Sequence, residues 1–208
     1  MLSSAQIIST LRPYGVPESS ALSEKIRIYI DLLLKWNRKI ALTAVTDPVD
    51  ILKFHFGESL FAISTGVCGK SRLADVGTGA GFPGLVLAMA DSNLDVSLIE
   101  SNLKKCAFLS EAIREIGISN ARVLPKRMES VDAGASGFDW ICSRALGQFD
   151  QLLSWARERL SSRGGVQLWL GEDDARMLSS NVGWIWDNPI LIPGSERRLL
   201  LKGAPRDR

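Results

Sequence analysis

The ten residues Asp75-Val76-Gly77-Thr78-Gly79-Ala80-Gly81-Phe82-Pro83-Gly84 constrain this chain more than any others. They follow Arg72-Leu73-Ala74, a run of strand type, and open an apolar helix, Leu85-Val86-Leu87-Ala88-Met89-Ala90. A glycine-rich turn between a strand and a helix lets a ligand approach the main chain where side chains would prevent it. The helix N-terminus then presents free N–H groups to that ligand. The next strand, Val96-Ser97-Leu98-Ile99, ends on Glu100, whose carboxylate is placed to take both hydroxyls of a ribose. The pattern predicts a nucleoside cofactor bound beyond the first strand of a doubly wound sheet.

Gly79-x-Gly81-x-x-Gly84 formally satisfies a dinucleotide fingerprint, which alone is a weak signal. Two details turn the reading toward S-adenosylmethionine. Asp75 stands two residues before Gly77, where a carboxylate can receive donors from an amino-acid moiety and would repel a pyrophosphate. Pro83 also removes an N–H that a pyrophosphate would use. A glycine turn serving close packing alone would not account for Glu100 at the end of the next strand.

The first part of the chain reads as helical. Leu22, Ile26, Tyr29, Leu33, Trp36 and Ile40 share one helical face, with Ser19 or Ser20 as cap, and Asp47-Pro48 starts a further helix carrying Ile51, Leu52, Phe56 and Leu60. From residue 71 strands and helices alternate, the signature of a parallel sheet. Helices are predicted over 104–115, ended by Gly117, and over 149–160, stopped by Gly164-Gly165. Strands are predicted at 121–124, 139–143 and 166–170. Ile190-Leu191-Ile192 and Arg198 to Leu201, joined through Pro193-Gly194-Ser195, read as a closing antiparallel pair. The expected organisation is a helical extension over 1–70 and a sheet domain over 71–208.

In 208 residues a hydrophobic content of 46% is enough for a packed core, and a net charge of +2 gives no basic nucleic-acid tail. The sequence has no apolar run of transmembrane length and no charged leader before Leu2-Ser3-Ser4, so a soluble, cytoplasmic protein is expected. Cys68, Cys106 and Cys142 have no metal spacing and read as reduced thiols. Ile141 precedes Cys142 where a cytosine-C5 methyltransferase would carry proline. A single histidine, His55, excludes histidine-rich metal sites.

In open α/β sheets ligands bind beyond the carboxyl ends of the strands. There the third strand offers Lys126-Arg127-Met128-Glu129, in which Met128 can pack on an adenine face. The fourth offers Ser143-Arg144-Ala145, with Arg144 placed to hold a cofactor carboxylate or an RNA phosphate. The Asn/Asp-Pro-Pro-aromatic motif that holds exocyclic amines is missing at that point. A ring nitrogen such as guanine N7 carries an in-plane lone pair and no proton to lose, so it needs no general base. Catalysis then reduces to placement and water exclusion.

These residues, with Lys35-Trp36-Asn37, Leu42-Thr43, His55-Phe56-x-Glu58-Ser59, Arg127-x-Glu129 and Gly194-Ser195-Glu196-Arg197, make nearly the whole chain resemble the bacterial small-subunit ribosomal RNA guanine-N7 methyltransferases, also called glucose-inhibited division protein B. The resemblance implies a Rossmann-like class I S-adenosylmethionine-dependent methyltransferase fold, mostly parallel with an antiparallel C-terminal hairpin. It implies methylation of N7 of one guanosine in 16S ribosomal RNA. By position it makes Gly77, Phe82, Met128, Glu129 and Arg144 cofactor contacts, beside Asp75, Gly79 and Glu100 from the turn itself. Arg144 is the one candidate for positioning the reactants. The chain departs from the family pattern at Ala41, Phe54, Gly57 and Leu170, all on the presumed RNA side.

Guanine N7 in an A-form helix lies in a groove that side chains cannot enter, so the target is expected in a loop or extruded into the pocket. Lys35, Arg38 and Lys39, with Arg197, Arg198, Lys202, Arg206 and Arg208, are candidate phosphate contacts, and the 30S subunit is the expected partner of a monomer. A small-molecule or protein methyltransferase of the same fold, a non-enzymatic RNA-binding protein and an NAD oxidoreductase remain open on the residues alone.

Overall fold

The computed structural model describes residues 2–67, 69–144 and 147–206. Cys68, Ala145 and Arg208, named above, lie outside them.

The sheet is built around the strand that precedes the glycine turn. Strands β1 (Arg72–Val76), β2 (Asp95–Ile99), β3 (Ala121–Leu124), β4 (Phe138–Arg144) and β5 (Leu160–Gly171) run parallel in the order β3-β2-β1-β4-β5. The switch in order lies between β1 and β4, so the carboxyl ends of both open onto one crevice. Beyond β5 lies β8 (Arg198–Pro205), antiparallel to it, followed by β6 (Trp184–Trp186) at the edge. The short β7 (Ile190–Leu191) also pairs with β8, which is the antiparallel closure the sequence predicts.

Helices form where their caps and faces demand. Ser19 caps α2 (Ser20–Asn37) by accepting from the Leu22 N–H at 3.1 Å, and α2 buries Ile26, Tyr29, Ile30 and Leu33. Asp47 accepts from the Val49 and Asp50 N–H groups at the head of α3 (Pro48–Ile51). The periodicity predicts one regular helix from there. Instead a π-helical stretch, Leu52–Gly57, separates α3 from α4 (Glu58–Ser64). Gly57 is needed in it, because a Cβ there would stand 2.4 Å from the Tyr14 ring. Farther on, α5 (Gly84–Ala90) follows the glycine turn, and α6 (Leu103–Ile116) ends at Gly117 with φ +70°.

The sequence reading differs from the structure elsewhere as well. α7 (Phe149–Arg159) stops earlier than Gly164-Gly165, because β5 begins at once on Leu160 and pairs with Phe138. Those glycines let strands approach: a Cβ on Gly164 would sit 2.6 Å from the Phe138 carbonyl. β6 and the short helices α1 (Ser4–Leu11) and α8 (Glu172–Ser179) are too short, or too polar, to register as periodic runs. α1 nonetheless carries a capping box between Ser3 and Gln6.

One hydrophobic cluster runs from Ile7 and Leu11 through Tyr29, Leu33, Phe56 and Leu60 into Leu73, Leu85, Leu98, Phe108 and Trp169. The helices of the first seventy residues therefore share their core with the sheet. Tyr29 shows the join. Its fully buried ring lies 5.3 Å from Phe56, 5.5 Å from Phe82 and 6.0 Å from Phe108, and its hydroxyl donates to the Ala80 carbonyl inside the glycine turn. Among the described residues no helix is long and apolar enough to cross a membrane.

Candidate functional site

Gly77, Gly79 and Gly81 have φ of +69°, +60° and +88°, a region that side-chain-bearing residues rarely adopt. Gly81 is also sterically required, since an added Cβ would collide with the Tyr29 hydroxyl. Gly79 has open space where a Cβ would point, its nearest neighbour being the Gly77 carbonyl at 3.8 Å. The turn is tied to the sheet by the Gly77 and Thr78 N–H groups, both donating to the Ile99 carbonyl.

Asp75 lies beneath the turn and is fully buried. Its Oδ2 accepts from the Thr78 hydroxyl at 2.6 Å and the Gly84 N–H at 2.7 Å, which fastens the strand end to the start of α5. Its Oδ1 is buried with no partner. Burial raises the Asp75 carboxyl to about 6, against the pull of those two hydrogen bonds.

Glu100 faces the turn from the end of β2. One oxygen accepts from the Asn102 N–H at 2.8 Å and the other from the Gly79 N–H at 3.1 Å. Two backbone donors thus fix the carboxylate, and each oxygen keeps a second lone pair. Glu100 lines an open cleft with Gly77, Ile99, Lys126, Met128 and Glu129, at the carboxyl ends of β1, β2 and β3. A carboxylate for a diol, a thioether for an aromatic face, an open glycine and an unpartnered buried acceptor at Asp75 together fit S-adenosylmethionine.

The cleft brings together Gly77, Glu100, Met128 and Glu129 from the residues designated by sequence. Gly79 joins them through its bond to Glu100, and Asp75 supports them from below. Phe82 and Arg144 do not line this cleft. The Phe82 ring is stacked between Tyr29, at 5.5 Å, and His55, at 4.7 Å. Arg144, at the end of β4, reaches Glu58 of α4, its NH2 standing 3.4 Å from Oε2.

Glu58 had no role assigned from sequence, yet it organises a second cluster beside the cleft. Its side chain is buried, its Oε1 pairs with Arg198 NH2 at 2.8 Å, and its carbonyl accepts from the Trp169 indole N–H. Burial pushes its carboxyl above the usual range, opposed by both guanidiniums. The signal was an acid on a buried helical face, seven residues after Ile51 and four before Ala62. Two departures from the family pattern also find their use here. Phe54 lies under the Arg198 guanidinium at 4.8 Å, and Gly57 admits Tyr14.

His55 belongs to the same cluster. Asn37 accepts from the Leu42 and Thr43 N–H groups and donates to the Thr43 carbonyl, shaping the loop that brings the Thr43 hydroxyl to 2.7 Å from His55 Nε2. Burial, then Arg144 and Arg198, lowers the imidazole to about 4, so it is neutral at pH 7. Cys142 is fully buried, and burial pushes its thiol well above the usual range, so it offers no thiolate.

The family described as rRNA small subunit methyltransferase G matches residues 22–181. A protein of Nitrosospira multiformis named ribosomal RNA small subunit methyltransferase G is 37% identical over 174 residues, covering 84% of this chain and 77% of its own length. One of the same name from Chromohalobacter salexigens is 34% identical over 202 residues, covering 95% of each. Among solved structures, an Aquifex aeolicus SAM-dependent methyltransferase superposes with a TM-score of 0.62 at 16% identity, covering 76% of this chain and 93% of that one. The ribosomal protein L11 methylase of Lactobacillus delbrueckii subsp. bulgaricus gives 0.60 at 15% identity, covering 72% and 77%. At such identities these two speak to the fold.

Proposed function

Because the chain belongs to the rRNA small subunit methyltransferase G family, we infer that it transfers a methyl group from S-adenosylmethionine to N7 of one guanosine in 16S ribosomal RNA. The observation that carries the reading is the cleft in which Glu100, held by the Gly79 and Asn102 amides, stands with Gly77, Met128 and Glu129. When bound there, the cofactor supplies an electrophilic methyl group on a sulfonium. Glu100 would take the ribose hydroxyls, and Met128 would pack on the adenine. Asp75 Oδ1, buried with no partner, would accept from the ammonium group, and Arg144, held by Glu58 outside the lining of the cleft, would serve the carboxylate as a neighbouring cation.

The acceptor follows from what the neighbouring groups are already doing. Asp75 secures the turn, Glu58 is shared by two arginines, and His55 is neutral and bonded to Thr43. Each of these groups is thus already engaged within the protein through at least one atom. That suits a ring nitrogen with no proton to lose better than an amine. Arg38, Lys39 and Arg197 are exposed and available to RNA phosphates, as is Lys35 at the edge of an ion pair with Glu111 at 4.0 Å, whereas Lys202 donates to the Thr65 carbonyl and Arg206 to the Val182 carbonyl. The partner we infer is the 30S subunit, met by a single copy of the chain in the cytoplasm.

The test is incorporation of labelled methyl groups into 30S subunits from cells lacking the protein, followed by mapping of the modified base. One methyl group at one guanine N7 is expected. Label in ribosomal protein, on an exocyclic amine, or only in small metabolites would overturn the assignment.

A further inference from the structure

Glu58 sits on the first turn of α4 with its side chain 2% exposed, and its two oxygens face arginines from two different strands. Arg144 closes β4 and Arg198 opens the antiparallel β8, so both reach the same end of the sheet. Two guanidiniums against one carboxylate leave one positive charge over. Asp75 acts on Arg144 as a second carboxylate.

Arg198 is held in an unusual way for a surface cation. One nitrogen is paired with Glu58, one face of the group lies on Phe54, and its side chain stays 41% exposed. A guanidinium fixed on an edge and a face has its remaining N–H groups aimed outward in a set plane, which matches the geometry of an oxyanion. Arg144 is deeper, at 17% exposed, with NH1 buried and unpartnered. The Phe82–His55 stack adjoins the cluster and links it to the glycine turn.

We propose that Glu58 is a positioning residue, which holds Arg198 beside Arg144 so that Arg198 grips one phosphodiester of the RNA strand carrying the target guanosine. This rests on the RNA methyltransferase reading above and adds to it a specific phosphate seat. The division of labour follows the depth of the two arginines. The buried one serves the cofactor end and the rim one serves the substrate, with a single carboxylate fixing both.

The experiment measures binding of unmethylated 30S subunits over a range of salt, together with S-adenosylmethionine affinity, for Arg198→Ala, Arg198→Lys, Glu58→Gln and the Glu58→Gln/Arg198→Ala double variant. Arg198→Ala should weaken RNA binding about ten-fold at physiological salt and lower the magnitude of the log–log salt slope by about one, the loss of one phosphate contact. Its cofactor affinity should stay within about two-fold of wild type. Arg198→Lys should recover the slope but not the full affinity, because an ammonium neither stacks on Phe54 as a plane nor forks. Glu58→Gln should move RNA binding in the same direction, and the double variant should bind no worse than Arg198→Ala.

An unchanged salt slope in Arg198→Ala overturns the proposal, as does a loss confined to cofactor binding. So does a double variant showing the product of the two single losses. Should Glu58→Gln prove unfolded by thermal melting, the two Arg198 variants decide alone. Wild-type protein that methylates 30S subunits while Arg198 is silent removes only the phosphate seat. Wild-type protein that methylates nothing in the subunit removes the assigned function as well.

Discussion

The two sides of the crevice are built by different means. On the side we assign to the cofactor the groups are main-chain atoms and side chains pinned by main-chain atoms. Glu100 is held by two amides, Asp75 by Gly84 and Thr78, and the turn by the Ile99 carbonyl. On the side we assign to the RNA the groups are side chains holding side chains: Glu58 with Arg144 and Arg198, Phe54 under Arg198, Phe82 against His55. A backbone-built site tolerates no change of shape. A side-chain-built site tolerates shape change but is sensitive to charge.

The largest effect should come from attacking shape on the first side. Gly81→Ala imposes a strained positive φ, costing about 1–2 kcal/mol, and drives a methyl into Tyr29, costing about 1–3 kcal/mol more. A fall in melting temperature on the order of 10 °C is expected, with cofactor binding lost in parallel. Unaltered melting would show that the turn is not backbone-limited.

Charge is the next lever, and it can be read through pH. His55 is lowered from 6.5 to about 4 on folding, so between those values the unfolded chain binds the extra proton and stability falls as pH falls. Asp75 is raised from 3.8 to about 6, so there the folded chain binds the extra proton and stability falls as pH rises. Over pH 4 to 6 the two slopes oppose each other and nearly cancel. His55→Asn should uncover the Asp75 slope, a stability loss of up to about 3 kcal/mol between pH 4 and pH 6 in denaturant melts. A variant with the same pH slope as wild type would show that His55 does not oppose Asp75 in this way.

Glu100→Gln keeps the shape of the cleft and removes its charge. Cofactor affinity should drop about ten- to hundred-fold by calorimetry, the scale of a hydrogen bond to a charged acceptor, and melting should fall by several degrees, because the Gln amide nitrogen leaves either the Gly79 or the Asn102 N–H without its acceptor. Tyr29→Phe should be mildest. It removes the bond to the Ala80 carbonyl while leaving the ring packed, and should cost about 1 kcal/mol in a denaturant titration. A cofactor affinity that falls further than stability would mean that Tyr29 shapes the turn as well as supporting it.

The same contrast explains what could be read in advance. Gly77, Glu100, Met128 and Glu129 were legible because backbone spacing and strand ends are local properties, and they converge on one cleft. The antiparallel closure was legible from Pro193-Gly194-Ser195 between two apolar runs. Glu58 with Arg198 was not, because residues 140 positions apart meet only once β8 is laid beside β5. Phe82 was read as a neighbour of the cofactor, and its position in the turn gave no hint that its ring is packed between Tyr29 and His55. Gly164-Gly165 was read as a helix stop because glycine carries that meaning after a periodic run, although here it serves strand contact.

The place of β8, inserted between β5 and β6, bears on how the protein is made. While the chain is being synthesised, the β5 edge stays unpaired until residues 198–205 have left the ribosome, so no earlier nascent fragment can complete the sheet. Arg198 arrives with that same strand. A chain that stops before residue 198 would therefore lack at one stroke the interior strand β8 and the rim arginine, and cells should clear it as unfolded material rather than carry a slow enzyme.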